Sequence, residues 1–303
     1  MGKLKGISLV IFATVVYGFI PFFAKTAFEN GFNEYSFILG RCIFGCILIY
    51  LYMKKRNTSF KLNKEEIISI IKVSILGHGL MILTLVYSYN YMPTSIATAI
   101  HFVYPIIIMV GGVKYYGEIL NIQKVTLIII AVIGIFLIAG LDGNINIDTI
   151  GLTLALVSGI LYAYYVLELG SGNLKHFNPI KLIFYVLISN AFLFFIASIA
   201  LDKLDTNITK MGWYNIVIAS ILLGLAMISF KKGLESITVV TAAILSTFEP
   251  LTSLIVGVVI LNETLKSQHI IGSILIIISA VLATIIENKS SKKTKLNIPG
   301  ELK

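Results

Sequence analysis

Residues 105–123 read PIIIMVGGVKYYGEILNIQ, and residues 250–268 read PLTSLIVGVVILNETLKSQ. At one constant offset and without a gap, Pro105, Gly112, Glu118, Leu120 and Gln123 fall on Pro250, Gly257, Glu263, Leu265 and Gln268. The same offset lays Gly6 on Gly151, Tyr17 on Tyr162, Gly79 on Gly224, Leu80 on Leu225 and Ala97 on Ala242. Matches between aliphatic residues carry little weight in so apolar a chain, but proline, glutamate and glutamine matches at a single offset do. The sequence is one unit written twice.

Each unit is almost wholly apolar. Hydrophobic residues make up 57% of the chain and charged residues 13%, a balance outside the range of water-exposed globular surfaces. Crossing a hydrocarbon core takes a helix of about 20 residues, and such runs lie near 6–28, 35–53, 67–90, 94–116 and 122–141. Five more lie near 150–168, 180–201, 212–233, 238–261 and 267–287. Segment 125–141 is apolar nearly throughout and does not alternate, which indicates helices and not barrel strands. The expected fold is an all-α polytopic membrane protein of ten transmembrane helices. Its expected divisions are a first five-helix repeat at 6–141, a second at 150–287, and a basic tail at 288–303. The loops leave no room for a soluble catalytic domain.

The net charge of +9 reports topology and not nucleic-acid binding, because the basic residues are sorted by loop. With Lys3 and Lys5 in the cytoplasm, so are Lys54, Lys55, Arg56, Lys61, Lys64, Lys114, Lys124, Lys175, Lys181, Lys231, Lys232 and the lysines of the tail. That is most of the 24 Lys and Arg residues, against Lys25, Lys203, Lys210 and Lys266 on the other side. The positive-inside rule therefore puts both termini in the cytoplasm, which an even number of crossings permits. The first run is too long for a signal-peptide core and is expected to be retained. Cys42 and Cys46, one helical turn apart, read as small packing residues; no metal or cofactor site is indicated.

Five is odd, so the second repeat must enter from the opposite face and the halves are inverted. Inverted repeats with a site near the midplane are a recurrent construction of secondary transporters. The residues also resemble the drug/metabolite transporter superfamily, specifically its ten-span members with two EamA-type repeats. The resemblance is carried by Tyr17, Gly18, Phe19, Ile20 and Pro21 followed by Lys25, by Arg41, and by Pro93, Thr94, Ala97, Pro105 and Leu120 around Glu118. In the second half it is carried by Ala242, Glu249, Pro250, Glu263, Leu265 and Gly272. Two departures are Tyr17, where the family often has Trp, and Val166, which stands in the place of Pro21. The resemblance implies movement of small organic solutes, often amino acids and often outward, across a bacterial plasma membrane.

Helical spacing sorts the polar residues inside the spans. Thr94, Thr98, His101 and Pro105 share a face of the fourth span, and Thr238, Thr241, Glu249 and Thr252 share one of the ninth. A central proline removes a backbone donor and frees a carbonyl, tolerable at membrane depth only where neighbours or cavity water satisfy it. These two spans are therefore expected to line a pathway. Thr14, Tyr17, Pro21 and Lys25 add a face of span one; Ser158, Tyr162 and Tyr165 of span six; Ser74, His78 and Tyr89 of span three. The candidate substrate-binding set is Tyr17, Pro21, Arg41, His78, Thr98, His101, Tyr104, Tyr162, Tyr165 and Glu249, with the tyrosines forming an amphipathic pocket.

Each of these has a plain structural alternative. Glu249 could be a neutral acid holding the kink, or a group binding solute or proton, which makes protons the candidate coupling ion. His78, between Gly77 and Gly79, suits an interhelical hydrogen bond. Arg41 could snorkel or could grip a solute carboxylate, and Lys25, Lys72, Lys231 and Lys232 could snorkel. Glu118 and Glu263 suit helix packing or capping. Competing functions are a membrane-embedded enzyme on a lipid-linked substrate, or a channel. No Asp-rich magnesium motif, H-E-x-x-H or nucleophile with an evident base supports the enzyme, and two central prolines in a symmetric architecture suit a carrier better than an open pore.

Overall fold

The computed structural model describes residues 2–92, 94–117, 122–139, 148–204, 207–260 and 265–296. Pro93, Glu118 and Glu263 lie outside them. Ten helical spans follow in order: α1 (Lys3–Phe28), α2 (Glu34–Lys55), α3 (Lys64–Ser88), α4 (Thr94–His101 with Tyr104–Tyr116) and α5 (Ile122–Ala139). The second half repeats them as α6 (Thr149–Gly170), α7 (Pro179–Ala200), α8 (Lys210–Leu234), α9 (Val239–Leu245 with Phe248–Ile260) and α10 (Ser267–Leu296).

Polar caps fix where several of these helices begin, because the first N–H groups of a helix lack intrahelical acceptors. The Asn33 side chain accepts from the Ser36 N–H at 2.9 Å, that of Asp148 from Ile150 at 2.7 Å, and that of Asn178 from Ile180 at 3.0 Å. Between caps the chain is apolar on every side, but burial sorts it. On α7, Leu187, Asn190, Phe194 and Ser198 face inward while Ile188, Phe192, Ile196 and Ile199 remain exposed. On α10 the exposed stripe is Ile270, Ile274, Ile277, Ile278, Val281 and Ile285. Contiguous apolar faces of this size are what lipid covers.

The packing has the symmetry the repeat demands. α1 lies on α8 and on the second half of α9; its counterpart α6 lies on α3 and on the second half of α4. α2 pairs with α7, and α5 with α10. The last pair crosses where a Cβ at Gly134 would stand 2.7 Å from the Gly272 carbonyl oxygen, and one at Gly272 would stand 2.5 Å from that of Gly134. One helical stretch away, Ser279 Oγ donates to the Leu127 carbonyl at 2.7 Å. Gly272 and Ser279 are the offset partners of Leu127 and Gly134, so each contact is the other's image. Because 134 meets 272 while 127 meets 279, the two helices run antiparallel. Equivalent helices of opposite direction make the halves inverted, as the odd span count requires.

Apart from Arg41 and Glu249 inside the spans, charged groups of the described residues lie toward the two ends. At one, Glu287 is buried between Lys124 (2.8 Å) and Lys3 (3.2 Å) and accepts from Thr241 Oγ1 at 2.6 Å. Lys181 donates to the Lys61 carbonyl and Lys231 to that of Lys175 at the same end. At the other, Asn33 Nδ2 donates to the Lys203 carbonyl at 2.8 Å and Thr209 Oγ1 to Asn30 Oδ1 at 2.7 Å. Two sequence expectations change here. Lys231 is fully buried and caps a carbonyl where snorkelling was expected. Thr238 and Thr241 belong to the Glu287 cluster at the end of the bundle and not to the face of Glu249, because the break in α9 separates the two.

Candidate functional site

α4 and α9 are each broken at corresponding places. The first half of α4 ends at His101 and the second starts at Tyr104; the first half of α9 ends at Leu245 and the second starts at Phe248. Across the breaks the ladder tightens: Val103 N–H bonds the Ile100 carbonyl at 3.1 Å, and Thr247 N–H bonds that of Ile244 at 3.2 Å. Pro105 and Pro250, which donate no hydrogen bond, follow immediately. Glycines let neighbours close on the breaks. A Cβ at Gly159 of α6 would stand 2.9 Å from the His101 carbonyl oxygen, and one at Gly18 of α1 would stand 2.7 Å from that of Glu249. Glu249 occupies the first turn of the second half of α9, its own N–H bonded to the Ser246 carbonyl at 3.0 Å, at the end of the helix dipole that favours negative charge.

Around the break in α4 the aromatic residues form one continuous group. The Tyr104 and Tyr162 rings are 4.6 Å apart edge to face, and Tyr162 stacks on Tyr165 at 6.0 Å. His101 lies 5.5 Å from both Tyr104 and Tyr162, and His78 lies 5.0 Å from Tyr165. Tyr17 packs on Phe230 of α8 at 6.5 Å. The Glu249 carboxyl is within electrostatic reach of Tyr17, Tyr104 and Tyr162, drawing both repeats into one site. No cation of the described residues is within ion-pair distance of it.

Hydrogen bonds fix the histidine tautomers. Ser158 Oγ donates its only proton to the Ala155 carbonyl at 2.6 Å, so its 2.9 Å contact with His101 Nδ1 makes that nitrogen the donor. His101 Nε2 is left as a free acceptor if the ring is neutral. His78 Nδ1 meets Asn190 Nδ2 at 2.6 Å, so this nitrogen accepts and Nε2 carries the proton.

Tyr17, His78, His101, Tyr104, Tyr162, Tyr165 and Glu249 are thus brought together from α1, α3, α4, α6 and α9. Thr98 stands at the edge of the group, 3.4 Å from the Tyr89 hydroxyl. Arg41 is buried on α2 and joins the group only through His78. Pro21 is exposed on α1, three residues past the Gly18 contact, and is not drawn in. Sequence reasoning missed Asn190, a fully buried amide in α7, although a lone Asn in an otherwise apolar span was a visible signal. It also did not single out Glu287, the last residue of the span expected at 267–287.

Known proteins match this architecture. A crystal structure described simply as that of a protein superimposes with a TM-score of 0.78 at 15% identity, covering 93% of this chain and 98% of its own. That likeness is one of fold. The Uncharacterized transporter YxxF of Bacillus subtilis (strain 168) is 23% identical over 176 residues, 56% of this chain and 55% of that protein, so the match spans about half the length of the relative. The EamA-like transporter family matches twice, at residues 4–140 and 149–285. A ten-helix membrane protein whose two inverted halves each carry that match belongs to the EamA-like transporter family.

Proposed function

We propose that this membrane transporter is a secondary carrier that exports small organic metabolites, amino acids among them, by alternating access around the cluster of α1, α3, α4, α6 and α9. The observation that carries the reading is the pair of symmetry-related helix breaks with Glu249, His101 and the tyrosines gathered about them. Inverted halves exchange conformations at little cost, since each can adopt the shape of the other, and that exchange turns an inward-open state into an outward-open one. The exchanging units are residues 6–141 and 150–287, with 288–303 as a cytoplasmic tail. Both termini are assigned to the cytoplasmic side of a bacterial plasma membrane, where the Lys3, Lys61, Lys124, Lys175, Lys181 and Lys231 end of the bundle would lie. Protons are the candidate coupling ion and Glu249 the candidate carrier. Coupling requires that protonation bind one state better than the other.

A thermal-shift screen of amino acids and small metabolites, followed by counterflow in proteoliposomes, tests the reading. Glu249→Gln should abolish or uncouple flux while its detergent melting temperature stays near that of the wild type. Loss of folding together with flux would make Glu249 a group that holds the break in α9 instead.

A further inference from the structure

Beside the tyrosine cluster lies a second group of polar side chains, from α2, α3 and α7. Arg41 is nine-tenths buried, its guanidinium 4.8 Å over the Phe37 ring, and its Nε has no hydrogen-bond partner. No carboxylate of the described residues lies within ion-pair distance of it. His78 is within its electrostatic reach, and Asn190 is bonded to His78. Ser74 and Asn190 are fully buried, and Ser74 Oγ and Asn190 Oδ1 are also without partners. Native proteins rarely leave one such atom unpaired, and each needs an explanation; here three sit on neighbouring elements.

The backbone is shaped to the same place. Residues Lys72–Gly79 of α3 form a π-helix, and both Ser74 and His78 lie on it. π-helical turns inside α-helices concentrate at functional sites. Two glycines permit the close approach: a Cβ at Gly77 would stand 3.0 Å from Tyr165 Cβ, and one at Gly79 would stand 2.8 Å from Asn190 Oδ1. Seven residues from Glu34 at the start of α2 put Arg41 roughly 10 Å along the helix, where neighbouring helices bury it.

We propose that Arg41, Ser74, His78 and Asn190 form an anion-recognition locus that engages a carboxylate of the transported solute, supplying the guanidinium with a counterion that the described residues do not provide. This deepens the carrier reading and rests on it. Arg41 Nε, Ser74 Oγ and His78 Nε2 offer donors to the anion. The His78 ring, tilted on Tyr165, and the stacked Tyr165 and Tyr162 rings lead from this locus to Tyr104 and Glu249, so that a solute held by its carboxylate would lie along aromatic surface.

The test uses four compounds with a common isobutyl end: L-leucine, 4-methylpentanoate, L-leucinamide and 3-methylbutylamine. On purified full-length protein the two carboxylates should raise the melting temperature, and Arg41→Met and Asn190→Leu should erase that rise. Without ligand, Arg41→Met should melt at or a few degrees above the wild type, because it removes an unpaired buried donor, whereas Asn190→Leu also strips His78 Nδ1 of its donor and should melt lower. Arg41→Lys keeps the charge but not the planar fork; it should weaken carboxylate binding about tenfold and leave 3-methylbutylamine unchanged. A ligand-free melting temperature that falls in Arg41→Met, no stabilisation of the wild type by either carboxylate, or equal loss for carboxylates and amine in Arg41→Lys would overturn the locus. Wild-type proteoliposomes that exchange none of the four would count against the carrier reading separately, because the ligand-free melting arm needs no transport.

Discussion

Ser158 shows how much a single hydroxyl decides in this protein. By giving its proton to the Ala155 carbonyl it makes His101 the donor from Nδ1, which leaves Nε2 of a neutral ring as an acceptor. Ser158→Ala should therefore cost only about 1 kcal/mol of stability, the net worth of one hydrogen bond, yet reduce flux by releasing the imidazole; melting and counterflow on the same preparation separate the two effects. His101, Tyr162 and Tyr165 were singled out because helical spacing put each on a polar face of its span, His101 with Pro105 nearby. Asn190 was not, since whether a lone amide in an apolar span meets a histidine or another helix depends on a neighbour far away in sequence. Lys231 looked peripheral for the same reason, and only the approach of the Lys175 loop buries it.

The helices were legible in number and extent, because a run long enough to cross hydrocarbon must satisfy its backbone within itself. Their irregularities were less so. Prolines announced the breaks in α4 and α9, but the π-helix in α3 has no comparable marker beyond Gly77 and Gly79 flanking His78. Glycine pairs set the closest crossings, and α5 on α10 is the tightest test. Gly134→Leu would drive a side chain into the Gly272 carbonyl, and overpacking of this kind typically costs about 1–3 kcal/mol. Thermal melting in detergent should fall accordingly, whereas the same change at Gly117, which has open space around it, should be limited to the strain of its positive φ of 64°. The Lys3, Lys124, Glu287 and Thr241 cluster ties α1, α5, α9 and α10 at one end. The offset partners of Lys124 and Thr241 are His269 and Ile96, which cannot repeat the Lys124–Thr241 contact.

Across the whole molecule the inversion of the halves yields a labelling prediction. In a background with Cys42 and Cys46 replaced by alanine, a cysteine at Asp202 should react with an impermeant reagent added outside intact cells and one at Asn57 should not. Reversal of that pattern would place the termini outside without disturbing the fold. The ten spans, their duplication and the inverted sense of the second copy were all determined by sequence alone, because apolar length, a constant offset and the parity of five leave no freedom. Which helices touch was decided only in three dimensions. α1 lies on α8 and α6 on α3, so each half packs against the other, and the site is shared between them. No local pattern encodes that exchange; it follows from how two equal and opposite bundles bury their small residues against one another.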